Sequence, residues 1–209
     1  GEAVASLIER IGHVPLPPYI KRRDDASDRD RYQTVYAHIS GSVAAPTAGL
    51  HFTQPILDEL ASRGIERTTI TLHVGYGTFK PVRVDHVEDH EVDPERYTVS
   101  QEAADALTRA KRDGRRIVAV GTTTTRALES LIVEKGIVRP GEGETRLFIR
   151  PGHRFELVSG LVTNFHLPKS SLLILAAAFA GREEILAVYR DAVQRGYRFY
   201  SYGDAMLLL

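Results

Sequence analysis

Apolar residues recur along the chain at helical spacing or in short runs. Val4, Leu7, Ile8 and Ile11 predict an N-terminal helix that ends at Gly12. Other helices are predicted at 28–37, with Asp28 as N-cap, and at 53–64, 100–113, 122–134, 171–180 and 183–194; strands are predicted at 67–74, 116–121, 145–149 and 155–163. Because strands alternate with helices, the pattern predicts an α/β main domain, barrel-like or layered.

Composition favours a soluble globular protein. The chain has 209 residues, of which 43% are hydrophobic and 26% charged, enough to build one large core. We expect residues 1–209 to form one main α/β domain. The longest apolar run, 172–180, is too short for a membrane-spanning helix, so we expect a cytoplasmic protein without a membrane partner.

Charge and cysteine content narrow the chemistry. Lys plus Arg and Asp plus Glu both number 27, so a nucleic-acid partner would have to use a local patch. The absence of cysteine excludes disulfides, thiolate metal sites and cysteine nucleophiles. The chain starts at Gly1 directly before a predicted helix, which we interpret as a chain cut from a longer protein.

A short strand at 116–121 runs through a glycine into four threonines. Free N–H groups and the dipole at such a helix start can bind a carboxylate or phosphate. The candidate binding residues are Gly121, Thr122, Thr123, Thr124 and Arg126. The alternative is a plain helix cap after a parallel strand, and the spacing fits neither a dinucleotide nor a P-loop motif.

Histidines and aromatic residues mark three further loops. His73 ends a predicted strand, and His51 lies in a similar loop before a helix; each could instead be a core histidine. The turn at 163–171 combines Asn164, His166, Lys169, Ser170 and Ser171, which suits a polar substrate or a helix cap. The segment 197–204 suits base stacking or an aromatic core strand.

The stretch 86–95 is rich in acidic residues and histidine. Its spacing, His90-x-x-Asp93-x-Glu95, matches no standard metal-ligand motif. We therefore interpret it as a solvated acidic loop and predict no metal site.

Seven ordered blocks resemble the S-adenosylmethionine:tRNA ribosyltransferase-isomerase family of queuosine biosynthesis. The blocks are 12–20, 32–36, 43–52, 71–79 with 81–84, 118–124 with Arg126 and 128–130, 161–168, and 197–199 with 201–206. Family members carry a further N-terminal region with a small β-barrel, which this chain lacks. The family pattern His-x-Met-His-x-Glu is also altered here, since Asp93 replaces the second histidine.

The resemblance implies an enzyme that uses S-adenosylmethionine as a ribosyl donor. It would place a rearranged epoxycyclopentane on 7-aminomethyl-7-deazaguanine at the tRNA wobble position, giving epoxyqueuosine and releasing adenine and methionine. S-adenosylmethionine would then be a co-substrate, with no permanently bound cofactor, and the enzyme would act as a monomer. A catalytically inactive tRNA- or nucleotide-binding fragment, or another nucleotide-dependent enzyme, remains the alternative.

Such chemistry needs a base beside the sulfonium and an acid for adenine departure, and histidine suits both roles near neutral pH. The resemblance makes His51, His73, His166 and Asp204 the catalytic candidates. Gly121 to Thr124 with Arg126 would hold the methionine carboxylate, and Asn164, Lys169, Ser170 and Ser171 would bind ribose or tRNA phosphate. Further substrate contacts are expected from Tyr76 and Tyr202, and phosphate contacts from Lys21, Arg22 and Arg23, although a run of three basic residues is more often a solvated charged surface.

Overall fold

A computed structural model describes residues 4–17, 19–75, 77, 80–131, 133–134 and 136–209 of the chain. Its helices are α1 (Val4–Ile11), α2 (Ala26–Arg31), α3 (Gln54–Ser62), α4 (Gln101–Arg112), α5 (Thr122–Glu129), α6 (Ser171–Ala180) and α7 (Arg182–Gln194). Its strands are β1 (Thr71–His73), β2 (Glu95–Val99), β3 (Val118–Val120), β4 (Val133–Glu134), β5 (Ile137–Val138), β6 (Gly141–Thr145), β7 (Gly160–Asn164) and β8 (Ala205–Leu208). Short 3-10 helices span Thr47–His51 and Val87–Asp89.

The strands form small sheets. β3 runs parallel to β7, with Val118 opposite Gly160, and β8 pairs antiparallel with the other edge of β7. β1, β2 and β6 form an antiparallel sheet, and β4 pairs with β5. The predicted α/β class is confirmed; within the described ranges the strands make layered small sheets and no closed barrel.

Two apolar clusters hold the layers together. One packs α4 and α5 against β3 through Ala104, Leu107, Ala119 and Leu128. The other packs α6 and α7 against β7 and includes Leu161. Serines cap two of the helices: Ser100 accepts from the N–H of Ala103 at 3.2 Å at the start of α4, and Ser170 accepts from that of Leu173 at the start of α6. No helix in the described part of the chain is long and apolar enough to span a membrane.

Several predicted boundaries are wrong for local reasons. α2 begins after Asp25, whose carboxylate caps Ser27, while Asp28 accepts back from the N–H of Asp25 at 2.9 Å in a capping box. The helix then ends at Arg31 and does not reach 37. α5 stops at Glu129, and the predicted strand at 145–149 lies earlier, as β6.

Candidate functional site

An open pocket lies where the carboxyl end of β7 meets the start of α5. It contains about 870 Å3 of empty space, part of which is open to solvent. Thr47 from the first 3-10 helix, Tyr19 and Tyr200 complete the wall. The ends of parallel strands and the adjoining helix starts are where α/β proteins bind ligands. The predicted residues found in its lining are Gly121, Thr122, Thr123, Asn164, His166, Lys169 and Ser170.

The start of α5 lines this pocket through Gly121, Thr122 and Thr123. Gly121 has φ +96°, a conformation that side-chain-bearing residues rarely adopt, and its N–H donates to the carbonyl of Val162 at 2.9 Å. As N-cap, Gly121 offers no side chain to cap the helix. The N–H groups at the first turn of a helix lack intrahelical acceptors, so those of Thr122 and Thr123, which line the pocket, remain for a ligand.

The four threonine hydroxyls do different things. Thr124 and Thr125 donate to the carbonyls of Val120 and Gly121, at 2.8 and 3.0 Å, and so stabilise the turn. Thr123 donates to Glu95 at 3.3 Å. The Thr122 hydroxyl forms no hydrogen bond to any described residue and lines the pocket. It is therefore the threonine most ready to bind a ligand.

Arg126 is occupied by protein groups. Its guanidinium donates to Glu95 at 2.7 Å and to the carbonyls of Leu147 and Asp93 at 2.8 and 3.3 Å. Burial lowers the pKa of Arg126, although the nearby carboxylates oppose that shift. The predicted contact between Arg126 and a substrate carboxylate is therefore replaced by an internal ion pair. Glu95 is 3% exposed, so the solvated acidic-loop interpretation is wrong at its last residue.

A hydrogen-bonded chain joins the pocket to His51. The Thr47 hydroxyl donates to the Asn164 side chain at 3.0 Å, and the Asn164 amide lies 3.2 Å from Nε2 of His51. Asn164 is buried and lines the pocket, as does Thr47. His51 itself does not line the pocket, but it is hydrogen-bonded to Asn164, which does.

His166 lies in the pocket wall and is buried. Its Nε2 is 2.7 Å from the Thr163 hydroxyl, and its backbone N–H donates to the Tyr189 hydroxyl at 2.8 Å. Burial lowers the pKa of His166 to about 4. The imidazole is therefore neutral at physiological pH and a weak base.

The neutral state of His166 makes folding sensitive to acid. Because the pKa is about 4 when folded and 6.5 when unfolded, the unfolded chain takes up the proton first as the pH falls. Stability from this site is complete above about pH 6.5 and declines by up to about 3 kcal/mol toward pH 4. Urea unfolding at several pH values should show this decline, and His166→Gln should lack it. Equal pH slopes in the two proteins would contradict the assignment; exposed His86→Gln is the control.

The segment 198–204 closes into a tight loop beside the pocket. Asp204 accepts from the backbone N–H and the guanidinium of Arg198 at 2.8 and 3.1 Å, and these contacts lower the pKa of Asp204. Its predicted catalytic position is not seen, because Asp204 is outside the pocket lining and holds the loop instead. Tyr200 and Ser201 from this loop do line the pocket.

Tyr202 and Arg22 meet at a buried carboxylate. Arg22 forms two hydrogen bonds to Asp28, at 2.6 and 2.8 Å, and the Tyr202 hydroxyl donates to the same group at 3.0 Å. These contacts hold the pKa of Asp28 well below its usual range. Tyr202 and Arg22 are thus structural partners of Asp28 and lie outside the pocket lining, whereas Lys21 and Arg23 are exposed.

In the turn before α6, one predicted residue is exposed at the pocket and another caps the helix. Lys169 is exposed and lines the pocket. Ser170 caps α6, accepting from Leu173 at 3.2 Å and donating to Leu167 at 2.7 Å. Ser171 lines a smaller neighbouring pocket together with Arg126 and the ion pair of Lys80 with Asp93, whose atoms are 2.6 Å apart.

His73 and Tyr76 complete the set of predicted site residues. His73 lies on β1 opposite Arg96 and is outside the lining, and Tyr76 lies outside the described residues. Among the residues described, no group of three or more histidine or acidic side chains is placed to hold a metal ion.

Sequence reasoning missed several contributors to the pocket, among them Tyr19, Thr47, Tyr200 and Ser201. Each lies in a stretch that attracted attention for another reason, the proline-rich connector, the small-residue segment or the aromatic segment. Glu95 was also missed as the partner of Arg126. Its signal was the glutamate that matches the family pattern.

Comparisons with known proteins point to one family. The model of the queuosine biosynthesis protein family matches residues 2–208. The S-adenosylmethionine:tRNA ribosyltransferase-isomerase of Anaeromyxobacter dehalogenans strain 2CP-C is 58% identical over 209 residues, covering 100% of this chain and 60% of the relative. The protein of that name from Heliobacterium modesticaldum is 54% identical over 205 residues, covering 98% and 60%.

A solved structure is also similar. The crystal structure of an S-adenosylmethionine tRNA ribosyltransferase from Thermotoga maritima aligns with a TM-score of 0.65 and 44% identity, covering 78% of this chain and 51% of that chain. The chain thus spans about 60% of the length of the curated relatives it matches.

Proposed function

Because this chain belongs to the queuosine biosynthesis protein family, we propose that it carries the S-adenosylmethionine site of a tRNA ribosyltransferase-isomerase. The enzyme would transfer and isomerise the ribosyl group of S-adenosylmethionine onto 7-aminomethyl-7-deazaguanine in tRNA, giving epoxyqueuosine and releasing adenine and methionine. The observation that carries the proposal is one pocket that combines the uncapped start of α5 with the Thr47–Asn164–His51 hydrogen bonds.

The start of α5 suits the methionine carboxylate. The N–H groups of Thr122 and Thr123 and the Thr122 hydroxyl can donate there, and the positive end of the helix dipole favours an anion. Arg126 would act on the site indirectly. It holds Glu95, and Glu95 also accepts a hydrogen bond from the Thr123 hydroxyl. Lys169 supplies a positive charge at the pocket, to the carboxylate or to a tRNA phosphate.

His51 is our candidate for proton transfer. When His51 is neutral, the Asn164 amide donates to Nε2 and Thr47 donates to the amide oxygen. When His51 is protonated, an amide flip lets Nε2–H donate to the oxygen while the NH2 group donates to Thr47. The network therefore accommodates both protonation states without losing a hydrogen bond, as a group that removes the C5′ proton or protonates adenine requires.

His166 is less suited to that role. With a pKa of about 4, roughly one molecule in a thousand is protonated at pH 7. It would shape the pocket wall as a neutral ring fixed by Thr163. His73 and Asp204 lie outside the lining and would act only at a distance.

We assign the rest of the substrate to the surroundings of the pocket. Exposed Lys21 and Arg23 would contact tRNA phosphates, whereas Arg22 is already engaged by Asp28. S-adenosylmethionine would be a co-substrate, with no permanently bound cofactor. A monomer in the cytoplasm is the proposed working state.

Adenine release tests the proposal. The intact protein, given S-adenosylmethionine and tRNA bearing 7-aminomethyl-7-deazaguanine, should release adenine in proportion to modified tRNA, as measured by chromatography. Unmodified tRNA should give no release above background. Binding of S-adenosylmethionine without adenine release would contradict the enzyme and favour the alternative of an inactive binding protein.

A further inference from the structure

Tyr200 has an unusual backbone conformation. Its φ is +76°, and that of Lys169 is +55°; within the described ranges they are the non-glycine residues with positive φ. Both residues line the same pocket. Side chains rarely adopt this conformation unless surrounding contacts impose it, and such residues cluster at ligand sites.

The loop that carries Tyr200 is closed by several hydrogen bonds. The Tyr200 N–H donates to the carbonyl of Phe165 at 2.8 Å, and the Gly203 N–H donates to that of Tyr200 at 3.1 Å. Gly203 has no room for a side chain, because an added Cβ would lie 2.4 Å from the Phe199 carbonyl. The Arg198–Asp204 contacts close the same loop. The loop therefore holds Tyr200 in place.

Tyr200 shares the pocket wall with a second aromatic residue. Its ring lies 4.9 Å from that of Tyr19, centroid to centroid, at an interplanar angle of 41°. The Tyr19 hydroxyl is hydrogen-bonded to Ser201, and burial raises the pKa of Tyr19, so the ring stays neutral. Apolar Ala45, Val74 and Leu172 line the same pocket. Aromatic faces beside apolar groups are how proteins bind unpaired nucleobases.

Resting on the function proposed above, we propose that Tyr200, supported by Tyr19, is the platform on which a purine-type base stacks in this pocket. Tyr202, one of the two tyrosines expected to contact substrate, donates its hydroxyl to Asp28 and cannot bind the base at the same time. Two bases of the reaction share the required chemistry, the adenine of S-adenosylmethionine and the 7-deazaguanine of the tRNA. Asp204 and Gly203 are positioning residues that hold the loop.

The conformation of Tyr200 suggests the variant to use. Glycine adopts φ +76° without strain, so Tyr200→Gly removes the ring without a backbone penalty. Tyr200→Leu keeps bulk but removes the aromatic face, and Tyr200→Phe keeps the face. Adenosine, 7-aminomethyl-7-deazaguanine and methionine are each titrated calorimetrically into the intact protein and its variants.

We expect Tyr200→Gly and Tyr200→Leu to bind one of the two base-containing probes about tenfold or more weakly. Methionine binding should be unchanged in both variants, and Tyr200→Phe should bind all three probes like the unchanged protein. Selective loss of adenosine would assign the platform to the donor; selective loss of the deazaguanine would assign it to the tRNA base.

Unchanged binding of both bases in Tyr200→Gly and Tyr200→Leu overturns the platform. If the unchanged protein still releases adenine in that case, the proposed function stands without it. If the unchanged protein binds no S-adenosylmethionine, both proposals are overturned. A parallel loss of methionine binding would indicate a collapsed pocket and overturn the specific role of the ring.

Discussion

Replacing Glu95 with alanine should lower the free energy of unfolding by about 3–5 kcal/mol, because it leaves Arg126 charged and buried without its carboxylate. The two side chains are 4% and 9% exposed and 2.7 Å apart. The substitution also removes the acceptor of the Thr123 hydroxyl. Urea denaturation of the unchanged and variant proteins measures the loss.

A surface ion pair provides the matched control for Glu95. Glu66 bonds to Arg109 and Arg115 at 2.9 and 3.0 Å, yet its side chain is 43% exposed. Glu66→Ala should therefore cost no more than about 1 kcal/mol. Replacing Glu95 and Arg126 together by methionine should recover much of the loss, since no charge is then stranded. Equal effects of Glu95→Ala and Glu66→Ala would contradict a stabilising role for the buried pair.

Substitution of His51 by alanine should slow adenine release by about 10²–10⁴-fold, the usual contribution of a positioned acid–base group. His51→Gln is the sharper variant, because glutamine can still hydrogen-bond Asn164 but cannot carry the proton. It should be similarly slow. Single-turnover adenine release measures the rate of both variants.

The control for His51 is another histidine of the same chain. His38 is exposed, so His38→Gln should leave the rate of adenine release unchanged. If His51→Gln released adenine at the rate of the unchanged protein, proton transfer would have to be assigned elsewhere. A fall in rate in His51→Ala but not in His51→Gln would indicate that His51 only positions Asn164.

The helices and the fold class could be predicted from the sequence where a local signal was strong. Helices α4 and α6, capped by Ser100 and Ser170, begin close to the predicted positions, and Gly121 followed by threonines does start a helix. The family resemblance, which depended on ordered blocks of unusual composition, is confirmed by the family model over residues 2–208. Boundaries failed where a competing cap existed, as with Asp25 before Asp28.

The sequence predicted many of the residues at the site but few of the contacts that they make. Arg126 and Asp204 looked like ligand-binding or catalytic groups, yet their charges are satisfied by Glu95 and Arg198. Neither partner is suggested by spacing, since Glu95 and Arg126 are brought together only when β2 packs beside α5. Tyr200 was missed in favour of Tyr202, because nothing local in the sequence shows which of two neighbouring tyrosines the left-handed backbone turns toward the pocket.

The pocket is assembled from parts that lie far apart along the chain. Tyr19, Thr47, Thr122, Asn164 and Tyr200 all line it, so the pocket exists only when both ends of the chain have folded onto the same sheet. A ligand bound there is linked to the folding equilibrium, since it binds only the assembled state. Occupancy would therefore slow hydrogen exchange and proteolysis in remote segments that never touch the ligand, and substrate supply would help to set the lifetime of the protein.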